Sequence, residues 1–141
     1  MTRILYVTRA KLSLSRSHTQ NIIKTAEYLS REDNVEVVVF SSARDAKRPE
    51  EIFDAKGVKF RYTLDVAYRK RLLVSTLFQK RDDFDILYFR DPVLWYVGIA
   101  ARFLLGKKVV FEVHGSHEWR FLKPFWRLSI FSAHGLIFIT E

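Results

Sequence analysis

The sequence has no cysteine among its 141 residues, and it has no long uninterrupted apolar run. The first absence excludes disulfide bridges and thiolate metal sites, so we expect a reducing, cytoplasmic environment. Arg, Lys or Asp breaks every apolar run well short of the roughly 20 residues that a membrane-spanning helix needs. The apolar stretch after Met1 is also too short for a signal peptide, so neither a membrane span nor a secretory leader is predicted.

Three glycine-based motifs are also absent: G-x-S-x-G, G-x-x-x-x-G-K-[ST] and G-x-G-x-x-G. Their absence argues against a hydrolase nucleophile elbow, a P-loop enzyme and a classical dinucleotide-binding domain. The four histidines are His18, His114, His117 and His134, and only His114 and His117 share a loop. Because they otherwise lack the spacing of metal ligands, we predict no structural metal, and we predict no cofactor.

Apolar residues and positive charge are abundant instead. With 48% hydrophobic and 15% aromatic residues, a chain of this length can bury a sizeable core as one domain. The net charge of +8 predicts attraction to polyanions, which include nucleic acid, anionic lipid headgroups and phosphorylated small molecules. Charge alone does not choose among these three classes of partner.

Strand-like and helix-like segments alternate along the whole chain. The predicted strands are residues 4–8, 35–41, 58–64, 85–89, 107–114 and 136–140. The first predicted helix starts at Ser17, which forms a capping box with Gln20. The second, third and fourth helices are predicted over residues 66–80, 92–105 and 121–132. Gly106 is predicted to close the third helix. This alternation predicts a doubly wound α/β domain with a mostly parallel sheet of about six strands.

Residues 107–115, K-K-V-V-F-E-V-H-G, form the most informative stretch. A short, β-branched run without alternation suits a parallel strand that is buried on both faces. Ligands of open α/β sheets bind at the carboxyl ends of the strands, where His114 and Gly115 stand. Arg90 and Asp91 end a neighbouring predicted strand, ahead of Pro92. Asp91 is the expected cap of the following helix, and Arg90 is the better candidate for a ligand contact.

Three segments occur in a recognisable order: residues 85–92 (D-I-L-Y-F-R-D-P), residues 106–115 and residues 133–141 (A-H-G-L-I-F-I-T-E). Together they resemble the N-terminal half of GT-B glycosyltransferases of family 4. The last segment is similar to the family's A-D-x-I-I-x-V-S-E strand, with His134 in place of the aspartate. The resemblance implies that residues 1–141 form a Rossmann-like, acceptor-side domain. It also implies a second, donor-binding domain, which is absent from this sequence.

The activity that the resemblance implies is transfer of a sugar, with retention, from a nucleotide-sugar co-substrate to an acceptor. This activity is expected to need the donor-binding domain. The resemblance implies that His114 contacts the transferred sugar and that the acceptor side includes Arg90, Gly115, His117 and Glu118. The loop after the first strand lacks the family's glycine pair, so Arg9, Arg16 and His18 are the candidates for the donor-phosphate side. Backbone capping by His114 and plain solvation of the loop residues are the alternatives.

Two segments combine bulky apolar residues with cations, which suits a membrane surface. The candidates for membrane contact are Arg69, Lys70 and Arg71 in the second helix, and Trp119, Phe121, Lys123 and Trp126 in the run W-R-F-L-K-P-F-W-R. The alternative is a core-facing helix and a packed aromatic corner, each with a solvated basic rim. Nucleic acid is disfavoured because no recognised binding motif is present.

Two locations and two functions therefore stand open. The enzyme domain would be cytoplasmic or peripheral at the inner face of the plasma membrane, because many acceptors of the resembled family are lipid-linked. The competing function is a non-catalytic module that docks on an anionic membrane or on a separately encoded donor-binding subunit.

Overall fold

The computed structural model describes residues 1–10, 17–41, 59–62, 70–114 and 123–139, with the backbone alone at residues 17, 18, 59–62, 70–73 and 114. Six strands lie in these ranges: β1 Thr2–Val7, β2 Val35–Ser41, β3 Lys59–Tyr62, β4 Ile86–Phe89, β5 Lys108–His114 and β6 Gly135–Ile139. They form one sheet in the order β3-β2-β1-β4-β5-β6, and every neighbouring pair is parallel. The predicted parallel α/β sheet is confirmed.

Four α-helices are described: α1 Ser17–Ser30, α2 Lys70–Gln79, α3 Trp95–Ile99 and α4 Lys123–Ser132. Short 3-10 turns at Arg81–Asp83 and Pro92–Leu94 precede β4 and α3, and a π-helical turn at Ala100–Leu104 continues α3. The predicted start of α1 at Ser17 is confirmed, while its capping contact lies outside the described side chains.

Each face of the sheet has its own apolar core. On one face, Ile22, Ile23 and Ala26 of α1 pack with Tyr6 of β1 and Tyr88 of β4. This helical spacing of apolar residues is the one that the sequence predicts for α1. The other face holds a larger core that includes residues of α2, α3 and the central strands, with Trp126 of α4 packed against it. Burial of both faces explains why β4 and β5 read as nearly continuous apolar runs.

The predicted third helix is correct in place but is not one continuous α-helix. Asp91 caps it as expected, since its side chain accepts the Val93 N–H at 3.0 Å, and Pro92 occupies the first turn. The end is wider than an α-helix, because the N–H of Leu105 donates to the carbonyl of Ala100, five residues back. Gly106 then closes the helix with a φ of 65°, a left-handed conformation that glycine adopts without strain.

A histidine joins the amino ends of β5 and β6. The Nδ1 atom of His134 accepts the N–H of Val109 at 3.1 Å, and the N–H of His134 donates to the carbonyl of Val109 at 2.7 Å. A side-chain acceptor at this position therefore fixes the turn before β6 against its neighbouring strand. The imidazole supplies the acceptor that a carboxylate would supply at the same place.

The strand order contains one reversal of direction. From β1 the chain builds outward through β2 to β3, and it then returns past β1 to β4 and continues outward through β5 and β6. The helices that follow β1 and β4, α1 and α3, accordingly pack on opposite faces of the sheet. A crevice at the carboxyl ends of two such strands is the usual ligand site of an open α/β sheet.

Candidate functional site

Two charged side chains meet across this switch point. Nη1 of Arg9, just after β1, lies 3.7 Å from Oδ2 of Asp91, just after β4. The side chains of Arg9 and Asp91 are 34% and 27% exposed, so solvent reaches both. Behind them Thr8 is buried, and its hydroxyl accepts the N–H of Ala10 at 3.1 Å, which turns the chain away from the sheet. Both members of the pair can thus meet a ligand from the carboxyl edge.

Tyr96 of α3 completes the outer layer of the site. It is half-buried against the larger core, and the charges of Arg9 and Asp91 both act on its hydroxyl. Burial raises the pKa of Tyr96, and the nearby cation and carboxylate act in opposite directions. Its hydroxyl therefore stays protonated at neutral pH and can donate a hydrogen bond.

Beneath the outer layer lies a buried polar group of four residues, here called the tyrosine–carboxylate cluster: Tyr6, Tyr88, Arg90 and Glu112. Oε2 of Glu112 lies 2.5 Å from the hydroxyl of Tyr88 and 3.4 Å from that of Tyr6. Oε1 of Glu112 lies 4.0 Å from Nη1 of Arg90, and Arg90 also bonds the Tyr6 hydroxyl. The two tyrosine rings meet edge to face, with centroids 4.7 Å apart. One carboxylate on β5 thus ties together β1, β4 and the residue that follows β4.

The electrostatics of this cluster are those of a dry site. Glu112 is fully buried, and Arg90 is 8% exposed. Burial, and then the negative charge of Glu112, raises the pKa of both Tyr6 and Tyr88 well above the ordinary tyrosine value. Both hydroxyls therefore remain donors to the carboxylate at any physiological pH.

Of the residues predicted from the sequence, the structure brings Arg9 and Arg90 to the switch point. His114 is the last residue of β5, so its backbone lies at the same carboxyl edge, and its side chain is not described. His18 lies in the first turn of α1, also without a described side chain. The remaining candidates for this site, Arg16, Gly115, His117 and Glu118, lie outside the described residues.

Sequence reasoning missed Glu112 and its two tyrosine partners. A signal was present, because Glu112 is the only acidic residue inside the apolar run 108–114. An acidic residue in a strand that is buried on both faces must find a hydrogen-bond donor or a cation. Tyr6 and Tyr88 each stand among apolar neighbours in their own strands. Nothing in the two local sequences shows that both hydroxyls would meet this carboxylate.

The membrane candidates divide in a similar way. Lys123 is exposed on α4, whereas Trp126 packs edge to face on Phe111, with centroids 5.5 Å apart, and so turns toward the core. Lys70 and Arg71 lie in α2 without described side chains, and Arg69, Trp119 and Phe121 lie outside the described residues.

Two other classes of site are absent from the part of the chain that the structure describes. No group of three or more His, Asp or Glu side chains in these ranges could hold a metal ion. No helix among the described residues is long and apolar enough to cross a membrane.

Solved structures share this fold at low sequence identity. HepE of Anabaena, determined with UDP and glucose, superposes with a TM-score of 0.68 and 15% identity over 96% of this chain and 38% of its own. MurG of Acinetobacter baumannii superposes with a TM-score of 0.63 and 12% identity, over 100% of this chain and 42% of its own. The lipopolysaccharide outer core galactosyltransferase WaaB superposes with a TM-score of 0.60 and 18% identity, over 91% of this chain and 38% of its own. The present chain therefore spans about two-fifths of these relatives.

Sequence comparison is more specific than the fold. No curated protein matches the chain. The family model Glycosyltransferase Family 4 matches residues 21–141, which include all of β2 to β6 and, of the candidate site, Tyr88, Arg90, Asp91 and Glu112 but not the site's residues on or just after β1. The chain therefore belongs to Glycosyltransferase Family 4.

Proposed function

We propose that this chain is the acceptor-side domain of a retaining glycosyltransferase that takes its sugar from a nucleotide-sugar donor and works with a donor-binding domain. The observation that carries the proposal is the switch point, where the Arg9–Asp91 pair lies near the buried tyrosine–carboxylate cluster, in a chain of Glycosyltransferase Family 4. HepE has the same fold and was determined with UDP and glucose, which supports a nucleotide sugar as the co-substrate.

The proposed roles follow the carboxyl edge of the sheet. His114, at the end of β5, contacts the transferred sugar, while Arg90, Gly115, His117 and Glu118 form the acceptor side. The donor-phosphate side holds Arg9, Arg16 and His18, beside the N-terminus of α1. Cations and free helix N–H groups at this place would stabilise the negative charge that develops on the departing diphosphate.

The decisive experiment uses the complete two-domain enzyme and follows the release of UDP from UDP-glucose, UDP-galactose and UDP-N-acetylglucosamine. His114→Ala is expected to abolish most of the turnover and to leave folding intact. His134→Ala is the matched control, because His134 lies at the opposite end of the sheet and bonds only the backbone in its described contacts. Equal turnover of the wild type and His114→Ala would contradict the role of His114.

A peripheral membrane location on the cytoplasmic side is a second proposal, supported by the outer face of α4. Lys123, Arg127, Ile130 and Phe131 follow one another at helical spacing, and all four are exposed. Phe131 is 64% exposed and stacks on Phe103, which is 52% exposed, with ring centroids 5.5 Å apart. A helix face with cations at one end and aromatic rings at the other suits the headgroup region of an anionic bilayer.

Vesicle binding tests this second proposal. The chain is expected to bind vesicles that contain phosphatidylglycerol more tightly than vesicles of phosphatidylcholine, and to lose part of this binding in higher salt. Arg127→Glu together with Phe131→Ser is expected to remove the preference. Lys24→Glu, which changes an exposed cation on α1 at the opposite face, is the matched control for charge. Equal binding of the two vesicle types by the wild type would refute the membrane contact.

A further inference from the structure

The tyrosine–carboxylate cluster places charge where the sheet could hold apolar side chains. Glu112 is fully buried between Phe111 and Val113, two core residues of the same strand. Removing two ions from water costs several kcal/mol each, and replacing a buried ion pair by well-packed apolar residues is often neutral or stabilising. A contribution to folding stability therefore explains the cluster poorly. The position that the cluster imposes on its side chains explains it better.

The cluster lies near the carboxyl ends of the two strands at the switch point, because Tyr6 and Tyr88 are the penultimate residues of β1 and β4. Tyr6 and Tyr88 are register partners on β1 and β4, the two strands that flank the crevice. Glu112 reaches both of them from β5. Arg90 immediately precedes Asp91, whose carboxylate pairs with Arg9 on the far side of the crevice. A group that holds Arg90 therefore also holds the backbone from which Asp91 projects.

We propose that Glu112 is a positioning residue: anchored by the hydroxyls of Tyr6 and Tyr88, it fixes the guanidinium of Arg90 at the switch point and thereby sets the acceptor side of the crevice. The nature of the ligand there rests on the proposed function. The two carboxylate oxygens have different partners: Oε2 accepts from both tyrosines, whereas Oε1 lies 4.0 Å from Nη1 of Arg90, an ion pair beyond hydrogen-bond distance. In this proposal the tyrosine hydrogen bonds to Oε2 fix the carboxylate in place, and Oε1 orients the guanidinium of Arg90.

Two conservative variants test the Arg90 contact and the tyrosine contacts of Glu112 separately. In Glu112→Gln the single amide oxygen can keep the tyrosines, but the NH₂ group then faces the guanidinium, and two donors oppose each other. In Tyr88→Phe the charge remains, and the shortest anchor, at 2.5 Å, is lost. Glu112→Gln therefore tests the hold on Arg90, and Tyr88→Phe tests the anchor.

The first experiment measures hydrogen exchange of the Arg90 guanidinium N–H groups, including those on Nη1, in the 141-residue chain by NMR. Glu112→Gln is expected to speed this exchange by about tenfold or more, the factor that about 1.4 kcal/mol of lost interaction represents. Tyr88→Phe is expected to have a smaller effect in the same direction. Glu27→Gln is the matched control, because it removes the carboxylate of α1 that pairs with Arg31, just after the helix and away from the cluster. Unchanged Arg90 exchange in a folded Glu112→Gln variant would overturn the proposal.

The second experiment asks whether the hold matters for transfer in the complete two-domain enzyme. Glu112→Gln and Arg90→Lys are each expected to lower kcat/KM for the acceptor by about tenfold, with the KM for UDP-sugar little changed. If Glu112 acts through Arg90, the double variant loses no more than about twofold beyond the worse single variant. Fully multiplicative losses would show that Glu112 acts independently of Arg90 and would overturn the proposal.

The two experiments fail in different ways. Absence of transfer from every UDP-sugar by the wild-type complete enzyme, with faster Arg90 exchange in Glu112→Gln, would refute the proposed function and leave the hold on Arg90 standing. Transfer that depends on His114 but not on Glu112 would leave the proposed function standing and refute the positioning role. A loss of folding in Glu112→Gln would move the test to Tyr88→Phe, in which unchanged Arg90 exchange and kcat/KM would refute it.

Discussion

The buried tyrosines predict an unusual response of this domain to alkaline pH. Tyr6 is 0% exposed and Tyr88 is 3% exposed, and the pKa of each is raised by burial and by Glu112. In the unfolded chain both hydroxyls titrate near their ordinary value, about 10. A group whose pKa is raised by folding contributes its full stability below the unfolded value, and this contribution falls as the pH rises above it.

The magnitude follows from linkage. An unfolded tyrosine with a pKa of about 10 gains about 1.4 kcal/mol by ionising at pH 11, while a folded one that stays protonated gains nothing. Tyr6 and Tyr88 together should therefore remove about 2.8 kcal/mol from the free energy of unfolding between pH 9 and pH 11. Tyr88→Phe abolishes half of this pH-dependent loss. Its stability near pH 8 also falls, by about 1–3 kcal/mol, because a buried hydrogen bond to a charged group is lost.

The assay is urea unfolding followed by circular dichroism at pH 8, 9, 10 and 11. At pH 8 the free energy of unfolding of Tyr88→Phe is expected to be lower than that of the wild type. Between pH 9 and pH 11 this free energy should fall by about 1.4 kcal/mol less in the variant than in the wild type. Tyr28→Phe is the matched control, because Tyr28 is 68% exposed and lies outside the cluster, so the wild-type response should persist. Equal losses in the wild type and Tyr88→Phe would refute the argument that the Tyr88 hydroxyl stays protonated in the folded state.

Three further changes have outcomes that the packing predicts. Gly98→Ala should destabilise by about 1–3 kcal/mol in urea unfolding, because a Cβ there overlaps the Ser132 hydroxyl and presses on the core; Gly98→Ala combined with Ser132→Ala should recover part of the loss. His134→Ala should cost about 1 kcal/mol by removing an acceptor for a β5 amide, and His134→Asp should cost less; equal losses would contradict this. The Arg3 amide and guanidinium lower the pKa of Asp85, so stability should fall as acid protonates it, and Asp85→Asn should flatten that dependence in acid titrations.

The sequence predicted most of the fold because its signals are local. Alternation of short apolar runs with helical periods placed all six strands and the start of α1 close to their observed bounds. The cap at Asp91 and the closure at Gly106 were also predictable, since each depends on the chemistry of a few adjacent residues. The π-helical turn at Ala100–Leu104 was not, because it keeps the apolar spacing of an α-helix and differs only in its hydrogen bonds.

The candidate site was predicted only in outline. Arg90 and His114 were placed at the carboxyl edge because both end apolar runs, and the structure puts both at strand ends there. The pairing of Arg9 with Asp91 and the burial of Arg90 against Glu112 needed the strand order. That order makes β1 and β4 neighbours, although about eighty residues separate them in sequence.

By itself, then, the sequence determined the kinds of elements and their parallel arrangement, and it predicted an edge of the sheet for ligand binding. These properties follow from hydrophobic period, caps and turn residues, which act within a few residues along the chain. The tertiary structure alone decided that Glu112 meets Tyr88, 24 positions away, and Tyr6, 106 positions away. Such contacts depend on which strands pair and in which register: Tyr88 pairs with Val110, so Glu112, two residues further along β5, reaches it diagonally, and it reaches Tyr6 across β4.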